Sequence, residues 1–270
     1  MSSAPLPPHS PLERYYRRDA SKPHDDRRAF VTELFDKTAP HYERINRILS
    51  FGWGLKYRQD ALERAGLRPG MRVLDVGVGT GLTARAALSA TDRSASVIGL
   101  DPSLGMLHEA RSLEIALVRA LAERLPMATA SFDFLTMGYA LRHVADLKAT
   151  FQEYLRVLRP GGRLLILEMT RPSGSGLRSA LTRWYLKRAM PFLAEIGSGG
   201  SDARELMEYY WDTIESCVLP EVVLTALGEA GFEQVERHHF WNTFIEYVAS
   251  RTTASSFAPL ELGTLTNSVI

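Results

Sequence analysis

The sequence has little cysteine, little net charge and no long apolar run, and each absence excludes a class of protein. A single cysteine, Cys217, excludes an internal disulfide and a cysteine-based zinc site, and it fits a reducing compartment. The formal net charge of +1 provides no overall field for neutralising nucleic-acid phosphates. No segment has the roughly 20 apolar residues of a spanning helix, and the N-terminus lacks the order of a secretory signal. We therefore expect a soluble, cytoplasmic protein without a nucleic-acid partner.

The 270 residues fit one domain with attached segments. Residues 1–28 are rich in proline and charge, which predicts a mobile tail. Residues 29–60 are expected to form a helical lid, and residues 61–251 the main α/β domain. Residues 252–270 are rich in Ser and Thr at their start and are predicted to be a flexible C-terminal tail.

The lid shows apolar residues at a spacing of three to four, which is typical of helices. Two helices are predicted there, with Pro40 in the first turn of the second one. Gly52 and Gly54 are expected to end that second helix because glycine tolerates positive φ.

In the main domain, short β-branched runs alternate with helical segments. Five strands are predicted at 71–77, 96–100, 115–119, 132–137 and 163–169. A helical insertion follows, predicted at about 177–191, 202–217 and 220–230, and two terminal antiparallel strands are predicted at 234–238 and 244–250. The alternation predicts a doubly wound, mostly parallel seven-stranded sheet with helices on both faces. Such a sheet binds ligands at the carboxyl ends of its strands.

The turn after the first predicted strand contains the residues that indicate a cofactor. Asp75, Gly77, Gly79 and Gly81 lie there, and Asp101 ends the next strand. Glycines in this turn let the backbone approach a ligand and enter a helix whose amides point at it. An acidic residue at each place suits a sulfonium cofactor that carries an amino group and ribose hydroxyls. Asp101 is predicted to accept both hydroxyls, as the corresponding acid does in dinucleotide sites.

Two alternatives remain open at this turn. A nicotinamide dinucleotide is the second cofactor class, although its Gly-x-Gly-x-x-Gly pattern fits poorly because residue 82 is Leu. The other alternative is purely structural, with Asp75 capping a turn and Asp101 beginning one before Pro102.

Five sequence blocks resemble one known family over roughly residues 30 to 250. They are FDKTAPHYERIN with SFG (35–46 and 50–52), LDVGVGTG (74–81), AERLP (122–126), Leu141-Arg142 with Val144, and RVLRPGGRLLILE (156–168). The chain resembles the UbiE-type ubiquinone/menaquinone biosynthesis C-methyltransferases, which are class I S-adenosylmethionine (SAM)-dependent methyltransferases with a Rossmann-like fold. The resemblance implies methylation of a ring carbon on a prenylated quinol, with 61–251 as the methyltransferase domain. It also implies a cofactor site that includes Thr80, Asp101, Leu121, Ala122 and Gly138.

The sequence departs from the family pattern at residues 121 and 143. The family has Asp or Asn at the first position to accept a hydrogen bond from adenine, and Leu121 cannot do so, so adenine would depend on the Ala122 backbone. The family usually has Asn at the second position. A histidine side chain generally titrates near neutral pH, so we predict that His143 is the catalytic base and that Arg142 stabilises the phenolate. The alternative is that His143 only caps the helix beginning near Asp146 or binds backbone.

Tyr42 matches a family position in the lid and is predicted to close over the ligand, the alternative being a packed aromatic side chain with a solvated hydroxyl. His108, His238 and His239 lack a spacing typical of a shared metal, so no metal is expected. Residues 177–193 mix basic and aromatic side chains, which predicts peripheral contact with a membrane surface; an amphipathic core helix with a basic solvent face is the alternative.

The sequence leaves three functions open. Ring-carbon methylation of a quinol or a related electron-rich aromatic is preferred. Aromatic residues at 53–58 and 241–247 in place of the family's usual runs also permit O- or N-methylation of a small aromatic compound or a phospholipid headgroup. The loss of an adenine ligand at Leu121 permits a non-catalytic SAM-binding protein. The sequence leaves open whether the chain forms a homodimer.

Overall fold

A computed structural model describes residues 23–50, 52–172, 176–198, 201–240 and 243–253. Most of the predicted N-terminal tail, at 1–22, and most of the predicted C-terminal tail, at 254–270, lie outside the described residues. Trp241 and Asn242, which belong to the aromatic terminal segment, also lie outside them. Among the described residues, no helix combines the length and apolar character needed to cross a bilayer.

A seven-stranded sheet forms the centre of the molecule, in the order β3-β2-β1-β4-β5-β7-β6. The strands are β1 (Arg72–Val76), β2 (Ser96–Asp101), β3 (Ala116–Arg119), β4 (Phe132–Gly138), β5 (Leu158–Met169), β6 (Glu233–Phe240) and β7 (Phe244–Ser250). β1 to β5 pair in parallel, and β7 is antiparallel to both β5 and β6. The predicted fold class is thereby confirmed. The strand order reverses at β1 and β4, which creates the crevice where such sheets bind ligands.

Helices cover both faces of the sheet and its carboxyl edge. They are α1 (Pro23–Leu49), α2 (Gly54–Arg64), α3 (Leu82–Ala90), α4 (Leu104–Ala110), α5 (Leu147–Val157), α6 (Leu177–Trp184), α7 (Met190–Ser198), α8 (Ser201–Glu215) and α9 (Pro220–Ala230). One π-helical turn, Tyr185–Ala189, joins α6 to α7. The predicted helical insertion before the terminal strands is therefore present.

The structure corrects the predicted lid. One helix, α1, runs through Pro40, whereas the sequence predicted a helix boundary there. Proline lacks the amide that would bond to the carbonyl four residues back, so its ring costs stability inside a helix. Packing outweighs that cost, because Leu34 and Ile45 on either side of Pro40 are buried against α7 and α8. α1 also begins at Pro23, inside the segment assigned to the tail, and α2 continues past residue 60 to Arg64.

Three apolar clusters hold these layers together. One joins α5 and α9 to the first face of the sheet, and a second joins α2 and α3 to the opposite face. The third lies between α1, α7 and α8 and includes Leu34, Ile45, Leu206 and Tyr209. α1 and α8 therefore form a helical cap, and its contacts with Arg142 and His143 place it at the carboxyl edge of β4.

Candidate active site

The turn between β1 and α3 is built on glycines. Gly77, Gly79 and Gly81 all have positive φ, at 69°, 56° and 92°. A Cβ at Gly81 would lie 2.4 Å from Leu113 Cδ1, so this glycine permits close packing. A Cβ at Gly79 would meet no atom within 4 Å, so this glycine faces open space. The turn therefore packs tightly at its end and is open in the middle, where a ligand would lie.

Asp75 lies near the end of β1, just before this turn, and its carboxyl group is buried. Its side chain is fully buried, and neither carboxylate oxygen makes a hydrogen bond of ordinary geometry to the described residues. The hydroxyls of Thr80 and of Thr136, which pairs with Asp75 across β1 and β4, are also buried and find no hydrogen-bond partner in the described part of the chain. Burial raises the pKa of Asp75 to about 8, against the opposing effects of the Ala84 amide and the Arg58 guanidinium. Since buried polar groups are normally hydrogen-bonded, these atoms fit a polar, cationic ligand group.

Asp101 lies at the carboxyl end of β2 and is 8% exposed. Its Oδ2 accepts a hydrogen bond from the Gly79 amide at 2.9 Å, and its Oδ1 accepts one from the Ser103 amide at 2.9 Å. Burial raises the pKa of Asp101 to about 6, and the two amides limit the rise. Each carboxylate oxygen keeps a second lone pair, so Asp101 can still accept both ribose hydroxyls.

The remaining predicted cofactor residues reach the same edge of the sheet. Leu121 and Ala122 follow β3 and are half-buried, with Leu121 bridged to Arg124 in a short turn. Gly138 ends β4, and a Cβ there would lie 2.4 Å from Thr83 Oγ1. Close packing against α3 therefore accounts for this glycine, and its contact with the cofactor stays a proposal.

Arg142 lies in a short 3-10 turn after β4 and is held by a buried ion pair. Its Nη1 donates to Glu168 at the end of β5, and Glu168 Oε2 also accepts the Arg142 amide at 3.2 Å. The guanidinium carbon lies 4.7 Å from the centre of the Tyr210 ring. Burial alone would lower the pKa of Arg142, but the Glu168 carboxylate raises it above its ordinary value. Arg142 is therefore a permanent cation that can stabilise an anion and cannot act as a base.

His143 is enclosed by aromatic side chains. Its Nδ1 hydrogen-bonds the Tyr209 hydroxyl at 2.9 Å, and the two rings are stacked with centroids 5.6 Å apart. Phe35 from α1 meets the imidazole edge-on at 5.4 Å. Asp146 itself caps α5, since its side chain accepts the Ala149 amide at 3.0 Å. The alternative that His143 caps this helix is therefore wrong.

Tyr42 brings the cap to the same place. Its hydroxyl lies 2.6 Å from the Tyr210 hydroxyl, and its ring packs edge-on against Phe35. α1 also contacts the segment that follows Asp101, because Asp36 Oδ1 accepts hydrogen bonds from the Gly105 amide at 2.8 Å and from the Ser103 hydroxyl. The structure therefore brings Tyr42, Arg142 and His143 to the same place, and their roles in catalysis stay a prediction.

Sequence reasoning missed Tyr209, Glu168 and Asp36 as parts of this site. Glu168 could have been noticed as a lone acid in an apolar run, at the carboxyl end of a predicted strand. Tyr209 lies in an amphipathic helix, where an aromatic residue indicates a core position rather than a functional one. No group of three or more His, Cys, Asp or Glu side chains in the described ranges is arranged to bind a metal ion.

This strand order, with a glycine turn after β1 and an acid at the end of β2, defines a class I SAM-dependent methyltransferase. Two solved methyltransferases share the fold. One from Aquifex aeolicus is 17% identical with a TM-score of 0.54, covering 73% of this chain and 91% of that chain. A phosphoethanolamine N-methyltransferase of Haemonchus contortus in complex with SAM is 18% identical with a TM-score of 0.55, covering 75% and 53%.

The chain belongs to the ubiE/COQ5 methyltransferase family, whose model matches residues 21–251. The ubiquinone/menaquinone biosynthesis C-methyltransferase UbiE of Campylobacter jejuni is 32% identical over 219 residues, covering 78% of this chain and 92% of that protein. The demethylmenaquinone methyltransferase of Thermus thermophilus is 35% identical over 207 residues, covering 74% and 91%. The family resemblance is thereby confirmed, and the protein is a SAM-dependent methyltransferase.

Proposed function

We propose that this methyltransferase transfers a methyl group from SAM to a ring carbon of a prenylated quinol. The Campylobacter jejuni relative is named a ubiquinone/menaquinone biosynthesis C-methyltransferase, and the Thermus thermophilus relative a demethylmenaquinone methyltransferase. The observation that carries the proposal is the fixed cation of Arg142, which is held by Glu168 and lies over the ring of Tyr210, whose hydroxyl contacts that of Tyr42. Attack by a ring carbon requires electron density that a phenolate supplies, and a permanent cation stabilises that phenolate.

The residues of this chain divide the work into binding and proton transfer. When bound, SAM supplies an electrophilic methyl group on a cationic sulfur. Asp75 and Asp101 hold its amino group and its ribose, and the capping helix α1 excludes water from the site. We assign His143 the tautomer in which Nδ1–H donates to the Tyr209 hydroxyl oxygen, so that Nε2 takes the proton of the quinol hydroxyl. Arg142 stabilises the oxygen anion that remains. Attack of the ring carbon on the methyl group breaks the bond from sulfur to methyl and releases S-adenosylhomocysteine, and the ring carbon then loses its hydrogen as a proton to water, which restores the aromatic ring.

A reduced, short-chain demethylquinol and SAM test the proposal directly. The expected product carries the new methyl group on a ring carbon, located by mass spectrometry and NMR. A methyl group on oxygen or nitrogen, or SAM binding without turnover on any quinol or aromatic acceptor, would contradict it in favour of the other functions.

Replacement of His143 by alanine should lower kcat about 10²-fold, the lower end of the range for a general base, because water can still accept the proton. At saturating SAM, the kcat of the parent should rise with pH where imidazoles titrate, roughly pH 5 to 8, and the variant should lack this rise. His143→Asn, with the residue common in the family, is the matched control and should also lack it. Unchanged kcat in His143→Ala between pH 6 and 9 would remove His143 from the mechanism.

We also propose that α6 and α7 contact an anionic membrane surface, where a lipid-tailed quinol resides. Leu177, Leu181 and Trp184 form one stripe along α6 and are 77%, 57% and 61% exposed. Phe192 and Ile196 continue this apolar face on α7, at 59% and 65%. The basic residues Arg183, Lys187 and Arg188 are exposed beside it. Large apolar side chains with adjacent cations suit a lipid headgroup boundary better than they suit water.

Trp184→Glu should abolish co-flotation with liposomes that contain anionic lipid, while kcat on a water-soluble quinol stays within about twofold. Val222→Glu, at a position 49% exposed on α9, is the matched control and should float like the parent. If the parent does not co-float, or Trp184→Glu floats equally well, the surface does not bind membranes. A change from dimer to monomer in Trp184→Glu, with flotation unaffected, would make the face a homodimer interface.

A further inference from the structure

Arg58 on α2 is a buried cation without a carboxylate partner. It is 7% exposed, its Nη1 donates to the Gly54 carbonyl at 2.9 Å, and its Nε has no hydrogen-bond partner among the described residues. Its guanidinium carbon lies 4.8 Å from the centre of the Tyr139 ring. Arg142 and Arg64 are instead paired with Glu168 and Glu246. Since a buried, uncompensated charge is costly, Arg58 fits a ligand that supplies the missing anion.

Three elements converge where Arg58 lies. Tyr139, whose ring faces the guanidinium, directly follows β4. The next residue, Ala140, packs against the glycine turn, since a Cβ added to Gly77 would lie 2.8 Å from Ala140 Cβ. The positive charge of Arg58 also limits the rise that burial causes in the pKa of Asp75, although Asp75 makes no hydrogen bond to Arg58. A buried cation and a buried carboxylate, neither neutralised by the other through a hydrogen bond, therefore border the glycine turn.

This arrangement matches the amino-acid end of the cofactor, which carries one ammonium and one carboxylate group. Asp75 accounts for the ammonium group, and Arg58 is the buried arginine of the described chain that has no anion of its own. We propose that Arg58 binds the methionine carboxylate of SAM and so positions the methyl group. The contact depends on the cofactor and not on the quinol proposed as acceptor, so it is tested by binding alone.

Calorimetry with Arg58→Met and two ligands tests this contact. SAM has the carboxylate, whereas decarboxylated SAM lacks it and keeps the ammonium group. We expect Arg58→Met to weaken SAM binding on the order of 10- to 100-fold, as for loss of a charge-assisted pair, and to leave decarboxylated SAM within about threefold of the parent. Equal weakening for both ligands, or unchanged SAM binding, would show that Arg58 only supports the fold.

Arg64→Met is the matched control on the same helix, because Arg64 is paired with Glu246 at 2.7 Å. This variant should not discriminate between SAM and decarboxylated SAM. If Arg58→Met does not fold, Arg58→Lys replaces it, since lysine keeps the charge but not the planar fork. Arg58→Lys should weaken the binding of SAM and leave the binding of decarboxylated SAM unchanged, and the opposite pattern would overturn the assignment. A failure of quinol methylation would leave both binding results unaffected, so the two proposals fail separately.

Discussion

Replacing Arg142 by methionine is expected to lower kcat about 10²- to 10³-fold, the usual loss when one group that stabilises an oxyanion is removed. The affinity for SAM should change less than about threefold, because the Arg142 cation faces Tyr210 and the cap rather than the glycine turn. Arg142→Lys should recover only part of the rate, since lysine cannot repeat the planar contacts with Glu168. Steady-state kinetics and calorimetry on the same preparations measure both quantities.

Stability has to be separated from catalysis in this variant. Removing Arg142 alone leaves the Glu168 carboxylate buried, which typically costs about 3–5 kcal/mol. Glu168→Gln in the same chain removes that charge. Its single carboxamide oxygen can accept from one of the two amides, Arg142 or Met169, that bond to the separate Glu168 oxygens Oε2 and Oε1 at 3.2 and 2.8 Å in the parent. The double variant should fold like the parent and remain slow. A folded double variant within about tenfold of the parental kcat would contradict the role of Arg142.

Most of the fold could be predicted because its signals are local. α9 begins with Pro220 in its first turn and ends before Gly231, which has φ of 102°, and its predicted bounds agree with the structure. β7 likewise agrees, at Phe244–Ser250. One exception is α1, where Pro40 signals a break and the helix continues. That outcome depends on packing against α7 and α8, which no local pattern contains.

The candidate site divides in the same way. The glycine turn and Asp101 are separated by one crossover, so spacing alone indicated them. The partners that orient Arg142, His143 and Tyr42 come from 26, 66 and 168 residues away in the sequence. No periodicity connects such distant residues, so Glu168, Tyr209 and Tyr210 could be assigned roles only from the structure. Arg58 belongs to this group, since its burial beside Asp75 is a tertiary property.

The second large effect is expected at Asp101. Asp101→Asn should weaken SAM binding on the order of 10²- to 10³-fold, because two hydrogen bonds from ribose hydroxyls to an ionised acceptor are lost or weakened. Asp133→Asn is the matched control, since Asp133 lies in β4 near its opposite end and pairs with Arg159 at 2.6 Å. It should bind SAM like the parent. Calorimetry that finds parental affinity in Asp101→Asn would remove Asp101 from the site.

The pH dependence of binding gives this prediction a sign. Burial raises the pKa of Asp101 from its ordinary value of 3.8 to about 6, so its carboxyl is neutral below that pH in the ligand-free protein. A neutral carboxyl donates one proton and cannot accept both hydroxyls, so the affinity for SAM should fall as pH falls through 6, by up to about tenfold per unit. Asp101→Asn should lack this fall. Asp75, with a pKa raised to about 8, should add a further rise in affinity with pH in the same direction, between pH 6 and 8, and Asp75→Asn should remove only that part.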